Sequence, residues 1–279
     1  MLVRVPASSA NLGPGFDTLG MALSLHAEVG LGEAPEGARA ADEHHPATVA
    51  FRRNGGEGAL WVRSSIPMGR GMGFSGAVRV GGAVAAQAQR HGADPDALAA
   101  ALPHLLHLTT ELEGHADNVA ASLYGGVVAT AGGMAVRVPM SFDPAMVMWV
   151  PPFVTSTDDS RTALPASVPM ADVVFNLGRT ALLVAALAAG DVAVLREATR
   201  DRLHQDIRFA AAEPSRTALE AALSAGAWAA WLSGSGPTVA VMCAVDEAEH
   251  LAASLPTDGH TKVLRIDHAG PVVETPHEP

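Results

Sequence analysis

The chain has 279 residues, 48% of them hydrophobic and 17% charged, with a formal net charge of −11. That length and composition supply a sizeable core for two lobes and exclude intrinsic disorder. The acidic balance excludes a nucleic-acid partner, because a grip on phosphate backbones needs clustered Lys and Arg.

Taken in chain order, Leu2 to Pro6 predicts a short strand, then a loop rich in Ser, Asn, Gly and Pro as far as Gly20, then a second strand from Met21 to Leu31. Gly32 to Pro46 is polar and acidic and reads as a surface loop; its His44-His45 pair lacks a third ligand at usable spacing and is solvated. Ala59 to Val62 predicts a strand, and Val78 to Arg90 a helix rich in Ala and Val. Asp94 to His107 predicts a helix with Asp94 or Asp96 as its cap, and His104 and His107 share one of its faces as structural residues. Thr109 to Leu123 predicts another helix, stopped by Gly125-Gly126. Strands are expected at Val127–Ala129, Ala135–Pro139 and Met146–Val150, and helices at Asp172–Ala188, Asp191–Leu203 and Arg216–Ser224. Trp228–Leu232 and Thr238–Cys243 read as strand, turn, strand. The weakest change of composition, at Met140 to Asp143, places a lobe boundary between residues 141 and 142.

Among the 18 basic residues, a single one, Lys262, is a lysine. It lies in Gly-His-Thr-Lys-Val, outside any phosphate-binding context. P-loop NTPases and protein kinases both need a lysine on the nucleotide phosphates, so both are excluded. The single cysteine, Cys243, sits in an apolar run and reads as a buried thiol; no internal disulfide is available, and a reducing cytoplasm fits. Residues 221–245 carry no charge and are long enough for a membrane span. Ser233-Gly234-Ser235-Gly236-Pro237 interrupts them, which would leave polar backbone in lipid, so no membrane partner is expected.

Three constellations could carry chemistry. Gly69, Gly71 and Gly73, followed by Ser75 and a helix-forming run, place free backbone N–H groups at a helix N-terminus, an arrangement that binds phosphate. The same stretch, Gly73-Phe74-Ser75-Gly76-Ala77, is one methyl group from the nucleophile elbow of α/β-hydrolases, with Asp172 and His204 or His260 as partners, but no strand leads into Ser75. Glu111 to Asn118 gathers three carboxylates, an imidazole and a carboxamide; either a carboxylate there holds Mg²⁺ or the group is a solvated helix face with local caps. Thr155 to Arg161 ends a polar loop in an arginine, which with Arg208 could offer guanidinium forks to a carboxylate; a cap-and-turn segment is the alternative.

Read together and in order, these stretches resemble the GHMP small-molecule kinases. The first family motif stands as Pro6 to Gly20 (P-A-S-S-A-N-L-G-P-G-F-D-T-L-G), the second as Pro67 to Ala77 and the third as Leu232 to Thr238. Glu113 to Val119, Ser156 to Pro165 and Leu203 to Arg208 are similar to segments of the branch that phosphorylates an amino acid. The resemblance implies an α+β fold of two lobes: an N-terminal nucleotide-binding lobe (1–141) with a left-handed βαβ crossover, and a C-terminal ferredoxin-like lobe (142–279). It implies ATP-dependent phosphorylation of the side-chain hydroxyl of L-homoserine, feeding threonine synthesis, with ATP and Mg²⁺ as cofactors and a homodimer as the assembly. A kinase for another hydroxylated metabolite, or a catalytically silent ligand-binding homologue, is the alternative.

The resemblance also implies roles. Pro67, Gly69, Arg70, Gly71, Met72, Gly73, Phe74, Ser75, Gly76 and Ala77 take the ATP and phosphate positions. Ser75 and Glu111 take the metal, with Glu113 as the nearby competitor. Asn11, Asp17, His115, Asn118, Thr157, Arg161 and Arg208 surround the amino acid, with Asn118 and Asp17 orienting its hydroxyl. Phe74 and Gly76 depart from the family's Ser and Ala, and the segment from residue 32 to 58, which normally helps form the adenine pocket, is short.

Overall fold

Strands β1 (Leu2–Ala10) and β2 (Leu19–Leu31) pair antiparallel along most of their length, with a bulge at Pro6/Ala7. The predicted first strand is therefore longer than its apolar beginning suggests: Ala7 to Ala10 continue it because their backbone pairs with Gly20 to Leu23. The computed structural model describes residues 1–274, apart from the side chains of Thr157 and Asp158.

Beyond β2 come β3 (Arg39–Ala41), α1 (Pro46–Arg53), β4 (Leu60–Ser64), α2 (Phe74–His91), α3 (Pro95–Glu113), α4 (Asp117–Tyr124), β5 (Val127–Ala131) and β6 (Met134–Val138). The expected loop at 32–46 thus contains a short strand, and α1 follows it, started by Pro46 and capped by the ring of His45, which accepts from the Ala47 amide. At its N-terminal end β2 pairs with β5 and at its C-terminal end with β4, so one long strand joins both arms of a seven-stranded sheet. Helices α2 and α4 cover β1 and β2, and the Ala- and Val-rich face of α2 is buried against them.

The second sheet has four antiparallel strands: β7 (Ala145–Val150), β8 (Ala229–Leu232), β9 (Val239–Cys243) and β10 (His260–Arg265), in the order β10-β7-β9-β8. Between β7 and β8 lie α5 (Thr157–Thr162), α6 (Met170–Ala189), a 3₁₀ turn (Val192–Val194), α7 (Leu195–Ala198), α8 (Gln205–Ala210) and α9 (Glu213–Ser224); α10 (Ala248–Ser254) lies between β9 and β10. Last, first, third, second is the ferredoxin-like strand order. β7, β8 and β9 are buried throughout, one face against α9 and α10 and the other toward Leu183, Leu187 and Leu195, which is why they read as unbroken apolar runs. Buried on β9, the Cys243 thiol is pushed up to about 11 by burial, which suits a structural residue. The final strand, β11 (Val272–Glu274), returns to the first sheet and pairs with β1, Glu274 opposite Leu2.

Two predicted helices are corrected. Thr109–Leu123 is broken at Gly114, whose left-handed backbone (φ 90°) ends α3 before α4 begins at Asp117. Asp191–Leu203 is not one helix: after α7 the carboxylate of Asp201 accepts from the amides of Leu203, His204 and Gln205, drawing the backbone away from the helical ladder. Among the described residues one helix, α6, is long and apolar enough to cross a membrane by length and composition alone; its Asn176, Leu183, Ala186 and Leu187 are buried in the protein.

Candidate active site

The two sheets meet at the end of β1. Ser9 on that strand accepts from the Trp231 indole (3.0 Å) and its hydroxyl lies 2.9 Å from that of Ser233, which donates to the Gly71 carbonyl (2.6 Å). This chain of bonds sets the third glycine-rich turn directly against the loop before α2. An open cleft lies there, lined by both lobes.

One end of the cleft is the α2 N-terminus. Helix α2 begins at Phe74, not at Val78, with Gly73 as its cap residue and no side chain bonded to its first amides. Those orphan donors and the helix dipole favour an anion. Gly71 and Gly73 both have φ 70°; a Cβ on Gly71 would stand 2.2 Å from the Ser233 carbonyl, and one on Gly73 would stand 1.9 Å from the Ser8 hydroxyl. Glycine is therefore required at both. Arg70 donates to the carbonyls of Pro151 and Pro152 (2.9 Å to the latter), pinning the loop to the second lobe.

The glutamate that lines the cleft is Glu113. Its Oε2 accepts from Ser75 Oγ (2.8 Å) and Arg79 Nε (2.6 Å), beside the first turn of α2. Glu111, the expected ligand, lies outside the cleft, half exposed, facing Arg53 and His107. Residues two positions apart on a helix differ by about 200° of rotation, so only one of the pair can face inward.

The other end of the cleft is charged. Asn11, Leu12 and Asp17 are the non-glycine residues with positive φ among the described ones, and all lie in the turn between β1 and β2. Such backbone persists where its surroundings over-determine it. Here the Asn11 carboxamide donates to Gly234 (3.0 Å) and accepts from the Asp17 amide (3.1 Å). Asp17 holds Arg161 of α5 through both oxygens, at 2.7 and 2.8 Å. Arg208 of α8 is buried and also donates to Gly234 (3.0 Å). Phe16 lies between the arginines, 5.5 Å from Arg161 and 5.3 Å from Arg208. In the middle, Ser8 donates to Asn118 Oδ1 (2.8 Å), and the His115 Nδ1 and Asp117 Oδ1 atoms are 2.9 Å apart.

The hydrogen bond to Asp117 raises the His115 pKa above 6.5 in spite of burial. A raised folded-state value means that the imidazolium stabilises the fold fully below pH 6.5 and that this contribution is lost as pH climbs through the folded pKa. The melting-temperature gap between wild type and Asp117→Asn is expected to be widest below about pH 6.5, where the His115 imidazolium is fully formed, and to narrow toward pH 9. A gap independent of pH would show that the pair carries no linked proton.

Two family models match the chain, "GHMP kinases N terminal domain" over residues 39–126 and "GHMP kinases C terminal" over residues 183–260. A protein of Gloeobacter violaceus named homoserine kinase is 41% identical over 273 residues, covering 89% of each chain. One of the same name from Desulfitobacterium hafniense is 37% identical, covering 97% of this chain and 99% of its own. The chain belongs to the GHMP kinase family. A crystal structure of homoserine kinase from Cytophaga hutchinsonii, 24% identical, has the same fold, with a TM-score of 0.84 over 98% of this chain and 97% of that one.

In this GHMP kinase the cleft gathers Asn11, Asp17, Pro67, Gly69 to Ser75, His115, Asn118, Arg161 and Arg208 from the expected set. Gly76 and Ala77 follow on α2, one turn behind the opening. The side chain of Thr157 lies outside the described residues. The hydrolase arrangement is absent: Ser75 bonds Glu113, His204 bonds Gly13 and Arg208, Asp172 faces Arg202, and His260 lies on β10. Missing from the expected set are Asp117, Gly234 and Ser235, which line the cleft, and Ser8, which holds Asn118. Asp117 carried a usable signal, as a carboxylate two residues from His115; Ser8 carried none until β1 was known to reach Ala10.

Proposed function

We propose that this kinase transfers the γ-phosphoryl group of ATP to the side-chain hydroxyl of L-homoserine, giving O-phospho-L-homoserine and ADP in the cytoplasm, a step of threonine biosynthesis. The observation that carries the proposal is a cleft with an anion-binding helix N-terminus at one end and a carboxylate with two arginines at the other, the complement of a phosphate and a zwitterion. Relatives named homoserine kinase along nearly the whole chain support the same acceptor. Arg161 and Arg208 take the carboxylate. Asp17, first assigned to the hydroxyl, lies against Arg161, and we assign it to the ammonium group instead. Asn118, fixed by Ser8 beside the start of α2, orients the hydroxyl.

Phosphoryl transfer through a loose transition state depends on in-line placement and charge neutralisation more than on strong proton abstraction. The hydroxyl oxygen bonds to the γ-phosphorus as the bond to the ADP oxygen breaks, and the hydroxyl proton passes to phosphate oxygen. No lysine serves as base, since Lys262 stands on β10, outside the cleft. Ser75 and Glu113 present two oxygens together, which fits Mg²⁺, an ion that takes one or two protein oxygens and fills the rest from phosphates and water. When bound there it would neutralise charge on the phosphates. Phe74, half-buried at the first position of α2, lines the cleft while packing on the core. We place the lobe division at 141/142, between β6 and β7, with β11 returning to the first lobe, and a homodimer contact on the outer face of α6, where Met170, Val174 and Leu177 are 73%, 61% and 66% exposed at helical spacing.

Coupled ADP release with ATP, Mg²⁺ and L-homoserine, run beside L-threonine and L-serine, tests the activity. Turnover confined to homoserine is expected. Folded protein that turns over another acceptor, or none, overturns the proposal.

A further inference from the structure

We propose that His204 is a positioning residue for the amino-acid clamp: its imidazole ties the turn carrying Asn11 and Asp17 to Arg208, and so aims that guanidinium at the substrate carboxylate. This role presupposes the amino-acid phosphorylation proposed above.

The side chain of His204 is completely buried. Its Nε2 lies 2.8 Å from the Gly13 carbonyl and its Nδ1 lies 3.1 Å from Arg208 Nη1. A carbonyl only accepts and a guanidinium only donates, so the two neighbours fix the ring as the neutral form with its proton on Nε2. Protonation would set a ring N–H against a guanidinium N–H. Asp201 does not compete for the ring proton: its Oδ2 is 3.8 Å from Nε2, and its oxygens already accept from the amides of Leu203, His204 and Gln205 and from the Asn176 carboxamide.

Arg208 Nη1 is then fully used, donating once to His204 and once to Gly234. Its Nε is buried without a partner, and the guanidinium lines the cleft. Two bonds on one nitrogen hold the fork so that its remaining edge is available to a carboxylate. The Phe16 ring, 5.1 Å from the imidazole and 5.3 Å from the guanidinium, backs both. An arginine released from the imidazole would have to be ordered again by the substrate, at the substrate's cost in affinity.

The two bonds can be separated. His204→Asn places an amide oxygen near the Nδ1 position and keeps the acceptor for Arg208. His204→Gln places an amide N–H₂ near the Nε2 position and keeps the donor for Gly13. With ATP saturating, His204→Gln is expected to raise the homoserine KM about tenfold, with kcat and the ATP KM within about twofold of wild type, and His204→Asn to restore most of that loss. Equal homoserine KM values for the two variants, or equal losses in kcat and ATP KM, would mean a merely structural histidine and overturn the role. Long-range ¹H–¹⁵N correlation spectra of the wild-type protein at pH 7 test the bonding pattern without turnover and without risk of misfolding. They should show a neutral ring with Nδ1 unprotonated; a proton on Nδ1 overturns the role. Wild type that fails to phosphorylate homoserine while showing that ring form overturns the acceptor assignment, and the clamp role with it.

Discussion

Gly73→Ala should reduce kcat/KM at least about a hundredfold while the protein still folds. Two effects combine. An alanine at φ 70° costs about 1–2 kcal/mol of backbone strain. The larger effect is local: the new methyl would stand 1.9 Å from the Ser8 hydroxyl and 3.1 Å from Asn118 Oδ1. Ser8 is the group that fixes Asn118, so relief of the clash displaces either the start of α2 or the residue assigned to the acceptor hydroxyl. Both border the proposed reacting centre, where misplacement by an ångström is enough to lose the in-line geometry. Gly37→Ala provides the control, since Gly37 has a comparable φ of 79° and nothing within 4 Å of a Cβ. It should bear similar backbone strain with unchanged kinetics. ADP release measured beside thermal melting separates the two variants, and Gly73→Ala with near-normal kcat/KM would show that the loop tolerates the methyl and that the phosphates bind elsewhere.

Arg208→Met should raise the KM for homoserine roughly 30- to 100-fold, the equivalent of about 2–3 kcal/mol for a charge-assisted bond lost from a buried site. The methionine fills much of the volume but leaves His204 Nδ1 without a donor and leaves Gly234 with Asn11 alone. Arg208→Lys should recover little, because a single ammonium cannot bond His204, Gly234 and a carboxylate in one plane. The ATP KM should stay near its wild-type value. 3-Aminopropan-1-ol, which is homoserine without its carboxylate, supplies the decisive comparison. Wild type and Arg208→Met should phosphorylate it equally poorly, whereas a further loss in the variant would place Arg208 on some other part of the substrate.

Gly71 and Gly73 were legible in the sequence because their backbone φ and the close approach of other chain atoms leave no other residue type at those positions. Strands β7 and β9 were legible as apolar runs for a related reason, as both of their faces are covered. That Glu113 and not Glu111 faces the cleft had a usable clue in the sequence. Glu113 follows Leu105, Leu106 and Thr109 on the buried stripe of α3, while Glu111 follows His107 on the exposed one. The helix drawn from Asp191 to Leu203 failed because side-chain bonds of Asp201 decide that backbone, and composition carries no trace of them. Asp17 was found, but its grip on Arg161 was not, since that pairing joins residues far apart in sequence and exists only once the second lobe is folded against the first.

The return of β11 to β1 has a consequence for the order of assembly. During synthesis the outer edge of β1 emerges well before its partner at Val272–Glu274, with its N–H and C=O groups unpaired in the interval. All of the second sheet and its helices lie in the chain between them. A flexible segment of that length makes closure entropically costly, but a segment that has already condensed brings its ends near one another and removes most of that cost. The strand at Val272–Glu274 therefore docks more readily once the second sheet has formed. Until then β1 offers an open edge to neighbouring chains, so the later-made half acts as an internal scaffold for completing the half made first.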